Sequence, residues 1–189
     1  MLNKVIISTA DGFVIPCLPD MFSLYGIKNI GKALTQWQRE FSTSLSIIPE
    51  GKRKELPSKF VRFLGYTVYN AKKRSDSPNK WNLAKAHYHY AQQIPDAIKG
   101  YIDRGMRIHL SDEIVANPIG DSAIMHTHNT FPNMAQKYKR PMWELPSYNR
   151  LDKKDRSTIA PNRNAYEDTK RKYENFANDF MERVESLND

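Results

Sequence analysis

The chain has a single cysteine, Cys17. One thiol cannot close an internal disulfide or supply half of a redox pair, which fits a reducing compartment. Cys17 lies between apolar residues and reads as a small core residue rather than a nucleophile. No apolar run reaches the roughly 18 residues that a bilayer crossing requires, so no membrane span is predicted. The N-terminal MLNKVIISTADGFVIP carries one lysine, a short apolar run and an early Asp11. That is a poor secretory leader, and a cytoplasmic location is expected. No segment repeats at a period of roughly 20–50 residues, which argues against a solenoid. There is no G-x-S-x-G elbow and no cysteine–histidine signal for nucleophilic catalysis.

What is present suits one globular α/β domain over residues 1–189, with 40% apolar and 26% charged residues. The formal charge is +8, unevenly spread. Residues 1–51 are neutral, residues 52–107 carry +9 and residues 108–189 carry −1. A surplus confined to the middle of a chain is either a footprint for a polyanion or a lysine-rich solvated surface.

Elements follow from periodicity and punctuation. GFVIPCL, Gly12 to Leu18, reads as a buried strand ended by Pro16 and Pro19. Leu24, Ile27, Ile30, Leu34, Trp37 and Phe41 lie on one helical face, and Asp20 or Ser23 can cap that helix. FVRFLGYTVYN, Phe60 to Asn70, is the clearest strand. Lys72, Lys73 and Arg74 open a basic loop, and LAKAHYHYAQQ is a helix that Pro95 breaks. Ile114 to Ala116 reads as a weak strand, Pro132 to Arg140 as a short helix, and PMWELP as extended. Residues 147–164 read as a polar surface connector. The chain closes with a long amphipathic helix carrying Tyr166, Tyr173, Phe176, Phe180, Val184 and Leu187, with Asn164 as its cap. Strands alternating with helices predict a partial, mainly parallel sheet flanked by helices.

Two patterns suggest chemistry, and the residues around them weaken both. GIKNIGKA, Gly26 to Ala33, matches G-x-x-x-x-G-K but has Ala33 where a phosphate loop needs a hydroxyl for Mg²⁺. It also lies inside a helical apolar pattern rather than directly after a strand, so a helix is expected there. His87 and His89, and His126 and His128, are H-x-H pairs. Residues two apart on a helix point about 200° apart, so His87 and His89 cannot share a metal.

Ordered segments of the chain resemble ParA/MinD-type partition ATPases. ADGFVIPCLPDMFSLYGIKNIGKAL is similar to the stretch after their second nucleotide motif, where an Asp ends a helix, a buried strand ends in Pro and a Ser-rich turn opens a helix. GYTVYNA resembles their next core strand. IVANPIGDSAIMHTHNTFPNMAQKYKRPMWEL resembles their late strand, base-side loop and short helix, and the final amphipathic helix also fits. The resemblance spans about residues 1–146 plus the last helix. The family's glycine-rich phosphate loop and Mg²⁺ carboxylates have no counterpart, so the chain resembles the C-terminal half of such an ATPase. The resemblance implies that Asn70, Pro118 and Ile119 match positions lining the nucleotide base, and that no cofactor is held by this chain alone, although the full-length family uses ATP and Mg²⁺. It also implies non-specific DNA binding, here expected at Lys72, Lys73 and Arg74, and a homodimer or a complementary N-terminal ATPase segment as partner. A stand-alone nucleic-acid- or protein-binding module is the alternative expectation, and a metal-dependent hydrolase built on the H-x-H pairs a weaker one.

Overall fold

The computed structural model describes residues 2–54, 57, 59–121, 125–126 and 131–188. Helix α1 (Leu2–Thr9) leads into strand β1 (Gly12–Cys17) and the 27-residue helix α2 (Met21–Ile47). After the single turn α3 (Glu50–Arg53) comes strand β2 (Arg62–Ala71), then α4 (Lys85–Ala91), α5 (Ile94–Tyr101) and α6 (Asp112–Val115). The two-residue strand β3 (Met125–His126) precedes α7 (Phe131–Tyr138), α8 (Lys153–Ile159) and the final helix α9 (Arg163–Glu185). Strands β1 and β2 run parallel and are connected through α2, and β3 pairs parallel on the other side of β2. The predicted α/β class with parallel pairing is thus observed, in a small sheet dominated by its helices.

Local chemistry explains the first unit. Asp20 Oδ1 accepts from the Ser23 backbone N–H at 2.9 Å, and Ser23 Oγ accepts from Leu18 N–H at 2.8 Å. This reciprocal cap turns the chain from β1 into α2. The predicted apolar face of α2 packs as expected: Ile27 and Leu34 are fully buried, with Leu24, Ile30 and Trp37 against the same core. That core also takes Phe63, Tyr66 and Val68 from β2 and Ile94 and Ile98 from α5. Strand β1 does not stop at Pro16 but continues through it to Cys17. Among the described residues β1 pairs only with β2, so Pro16, exposed on this edge strand, sacrifices no ladder bond that is in use.

Strand β2 is bulged near its start, where the pairing with β1 skips from Phe63 to Gly65. Gly65 has φ +141°, and a Cβ there would lie 2.6 Å from Arg183 Nη1. Arg183 is buried and donates from Nη1 to the Leu64 carbonyl at 3.1 Å and from Nε and Nη2 to Asp179 at 2.7 and 2.9 Å. Asp179 also accepts from the Gly120 N–H at 2.7 Å. One guanidinium–carboxylate pair therefore ties α9 to β2 and to the segment after α6.

Four sequence expectations give way. Ile114 to Ala116 is largely helical, within and just after α6, because Ser111 Oγ caps the Ile114 N–H at 3.2 Å. PMWELP forms a 3₁₀ turn over Met142–Ser147 rather than an extended segment. Residues 147–164 are not a plain connector: they include α8, and Leu151 and Ile159 are buried with Leu145 and Tyr166 in a second apolar cluster. The N-cap of α9 is Asn162 rather than Asn164. The sequence reading also assigned no element before Gly12, where α1 lies.

Candidate nucleic-acid interface

Strand β2 ends in a second irregularity. Tyr69 pairs with Met125 and Ala71 with His126, which leaves Asn70 bulged at φ 54°. Asparagine tolerates this left-handed conformation better than most side chains, which gives Asn70 a backbone role at the strand end. The chain then doubles back. Arg74 N–H donates to the Asn82 carbonyl at 2.8 Å, Lys73 bridges antiparallel to Leu83, and Ala84 N–H donates to the Lys72 carbonyl at 2.9 Å. Asn79 closes the turn through Oδ1 to Leu83 N–H at 2.9 Å and Nδ2 to the Leu83 carbonyl at 2.7 Å. Buried Trp81 and Leu83 anchor the return arm. The backbone of residues 72–74 is thereby fixed while its three cationic side chains are exposed.

These three cations differ in their surroundings. Arg74 forms a two-bond pair with neighbouring Asp76, at 2.9 and 3.2 Å, and both groups are exposed. Lys73 instead reaches toward α9, its ammonium 3.9 Å from Asp168. Asp168 also holds Lys172 at 3.0 Å and Arg171 at 2.6 Å. Partial burial raises the Asp168 pKa, but hydrogen bonds from Lys172 and Arg171 and the charges of Lys172 and Lys73 outweigh it, leaving the carboxyl at about 2. Lys172 is pushed below its usual range by burial, and by the like charges of Lys73 and Arg171, against the pull of Asp168. Three cations thus converge on one carboxylate, Asp168.

Asn70, Pro118 and Ile119 differ in their surroundings. Asn70 is exposed at the strand end, whereas Pro118 and Ile119 are buried. Ile119 donates its N–H to the Tyr66 carbonyl at 2.8 Å and packs against Gly65, so core packing accounts for its position.

The decoy motifs resolve in the same way. Gly26 to Ala33 lies wholly inside α2, and a Cβ on Gly31 would overlap the Tyr101 carbonyl oxygen, so Gly31 marks the close approach of α2 and α5. His87 and His89 share α4, where His87 Nδ1 accepts from the Lys72 N–H at 2.8 Å and His89 meets Tyr90 edge-on. His128 lies outside the described residues, as does the side chain of His126. Among the described residues no three histidine, cysteine or carboxylate side chains cluster in a way that could hold a metal. Burial, and then the charge of Asp20, push the Cys17 thiol up to about 12, so it stays protonated. No described helix is long and apolar enough to cross a membrane.

The sequence reading located Lys72, Lys73 and Arg74 but missed Asp168, Arg171 and Lys172. Their spacing of three and four residues, which aligns side chains on one helix face, was the available signal. Comparison of the chain with protein-family models, with curated proteins and with solved structures finds no match.

Proposed function

We propose that this chain corresponds to the part of a ParA-like partition ATPase domain that follows the phosphate loop, and that its own activity is sequence-independent binding of a nucleic-acid backbone without nucleotide hydrolysis. The observation that carries the binding reading is the convergence of Lys73, Arg171 and Lys172 on Asp168, with exposed Lys72 alongside Lys73 in the chain. Clustered cations at a surface attract phosphates and release counterions on binding. The family reading rests on the ordered sequence segments. It is supported by a parallel β1–α2–β2 unit and by strands that lie side by side in chain order, as in one half of a doubly wound sheet. Such a sheet is common to many functions, so the fold alone adds little to the functional argument.

The test is fluorescence anisotropy of labelled duplex DNA of two unrelated sequences across a salt series. Both duplexes should bind alike. Lys72→Ala with Lys73→Ala, and separately Arg171→Ala with Lys172→Ala, should weaken both duplexes equally and flatten the log–log salt slope by about 0.9 per lost phosphate contact. Arg74→Ala should matter less, because Arg74 is already paired with Asp76. No retention at low salt, or unchanged retention in both double variants, would overturn the binding reading. Separately, the chain should show no magnesium-dependent ATP turnover; turnover abolished by Lys32→Ala would overturn the assignment of Gly26 to Ala33 to a structural helix. A protein-binding module is the second reading. It is favoured by Met21, Phe22 and Tyr25, which lie exposed on the first turns of α2.

A further inference from the structure

A cleft of about 560 Å³ opens where β1 and β2 begin, at the opposite end of β2 from Asn70 and Lys72. Its size suits a small organic ligand. One wall is apolar, formed by Phe60 on the approach to β2 and by Val184 and Leu187 at the end of α9. Among the described residues its polar part holds two cations, Lys59 and Arg62, and one carboxylate, Asp11. The Arg62 backbone N–H donates to the Asp11 carbonyl at 3.0 Å, which fixes the two sides of the entrance relative to each other.

Arg62 is partly buried, yet it forms no ion pair with any described carboxylate. Its charge also opposes the protonation of a nearby base, His109. A partly desolvated guanidinium that makes no ion pair among the described residues carries a cost that a bound anion offsets. Its planar fork also fits a carboxylate or phosphate through two parallel hydrogen bonds. The apolar wall rewards a ligand whose remainder is hydrocarbon.

We propose that this cleft binds a small organic anion, a carboxylate or phosphate head on an apolar body, with Arg62 and Lys59 at the head and Phe60, Val184 and Leu187 along the body. The site is separate from the basic surface at Lys73 and does not depend on the chain binding nucleic acid.

Isothermal titration of the full chain with octanoate, octyl phosphate and 1-octanol tests it. Octanoate or octyl phosphate should bind saturably, and octanol about ten-fold or more weaker, because the neutral head leaves Arg62 without a partner. The stronger of the two anions identifies the head group. Arg62→Gln should bring the anion down to the octanol level while leaving octanol unchanged, and Leu187→Ala should weaken all three probes. Circular dichroism establishes that each variant is folded; should Arg62→Gln not fold, Lys59→Gln and Arg62→Lys carry the comparison, with a partial loss expected in each. Equal binding of octanoate, octyl phosphate and octanol, absence of saturable anion binding, or folded head-group variants with unchanged anion affinity would each overturn the proposal.

Discussion

Gly26 and Gly31 stand five residues apart on one helix and have opposite surroundings. A Cβ on Gly26 meets nothing within 4 Å, while one on Gly31 runs into the Tyr101 backbone. Gly26→Ala should therefore stabilise the protein by about 0.5–1 kcal/mol through reduced backbone freedom in the unfolded chain. Gly31→Ala should destabilise it by about 1–3 kcal/mol, because α2 and α5 must separate. Urea midpoints decide the matter, and a Gly31→Ala protein as stable as wild type would remove the close-approach argument. His109 gives a second residue-scale test. Both ring nitrogens are buried without a hydrogen-bond partner among the described residues. Burial, and then the charge of Arg62, hold its pKa below the usual 6.5. The neutral ring is thus favoured by the fold. Its contribution is complete above the unfolded value and is lost as pH falls below about 6.5 toward the folded value, because the unfolded chain takes up the proton first. His109→Leu should flatten this acid-side loss, measured as the urea midpoint against pH; an identical slope in the variant would show that other groups carry it.

At the scale of elements, α9 is held to β2 by a charged pair rather than by apolar contact alone. Arg183→Ala would leave the Leu64 carbonyl without its side-chain donor and Asp179 with the Gly120 N–H but no guanidinium, at a cost of about 3–5 kcal/mol. Arg183→Lys should recover only part of this, since an ammonium cannot reproduce the two-bond fork plus the third bond to Leu64. A loss below about 1 kcal/mol on denaturation of Arg183→Ala would mean that the helix docks without the pair. The same pair shows what sequence can and cannot reveal. Strand β2 was legible because aromatic and β-branched residues are concentrated in it, and α2 because its apolar face and Asp20 cap agree. Ile114 to Val115 has strand-like side chains, but a cap from Ser111 overrides that weak preference. Leu151 and Ile159 are isolated apolar residues in a polar stretch, so no period announced their burial; it arises from the second cluster, built from chain regions on both sides. Lys73 was legible as a loop cation, but its approach to Asp168 is tertiary and leaves no mark on local pattern.

For the whole molecule, the two apolar clusters are connected through α9. Its first turns bury Tyr166 against Leu145 and Leu151, with Phe131 stacked on the Tyr166 ring at 3.9 Å. Its last turns place Arg183 on β2, within the structure that encloses the larger core. A rigid helix fixed at both ends makes the loss of one cluster felt by the other. Tryptophans report the two regions separately: Trp37 and Trp81 belong to the sheet core, and Trp143 lies beside Tyr173 at 5.3 Å, on the 3₁₀ turn that supplies Leu145 to the second cluster. Urea unfolding followed by Trp143 alone, in Trp37→Phe/Trp81→Phe protein, should therefore coincide with unfolding followed in Trp143→Phe protein, as for one cooperative unit. Adding Arg183→Ala to each background should separate the transitions, because the helix then remains attached chiefly to the second cluster. Separate midpoints already in the backgrounds that retain Arg183 would mean that α9 does not transmit stability between the clusters. Coincident midpoints that persist after Arg183→Ala would place the coupling in other contacts of α9, with the Gly120–Phe176 approach as the next to test, because a Cβ on Gly120 (φ +79°) would lie 3.0 Å from the Phe176 backbone.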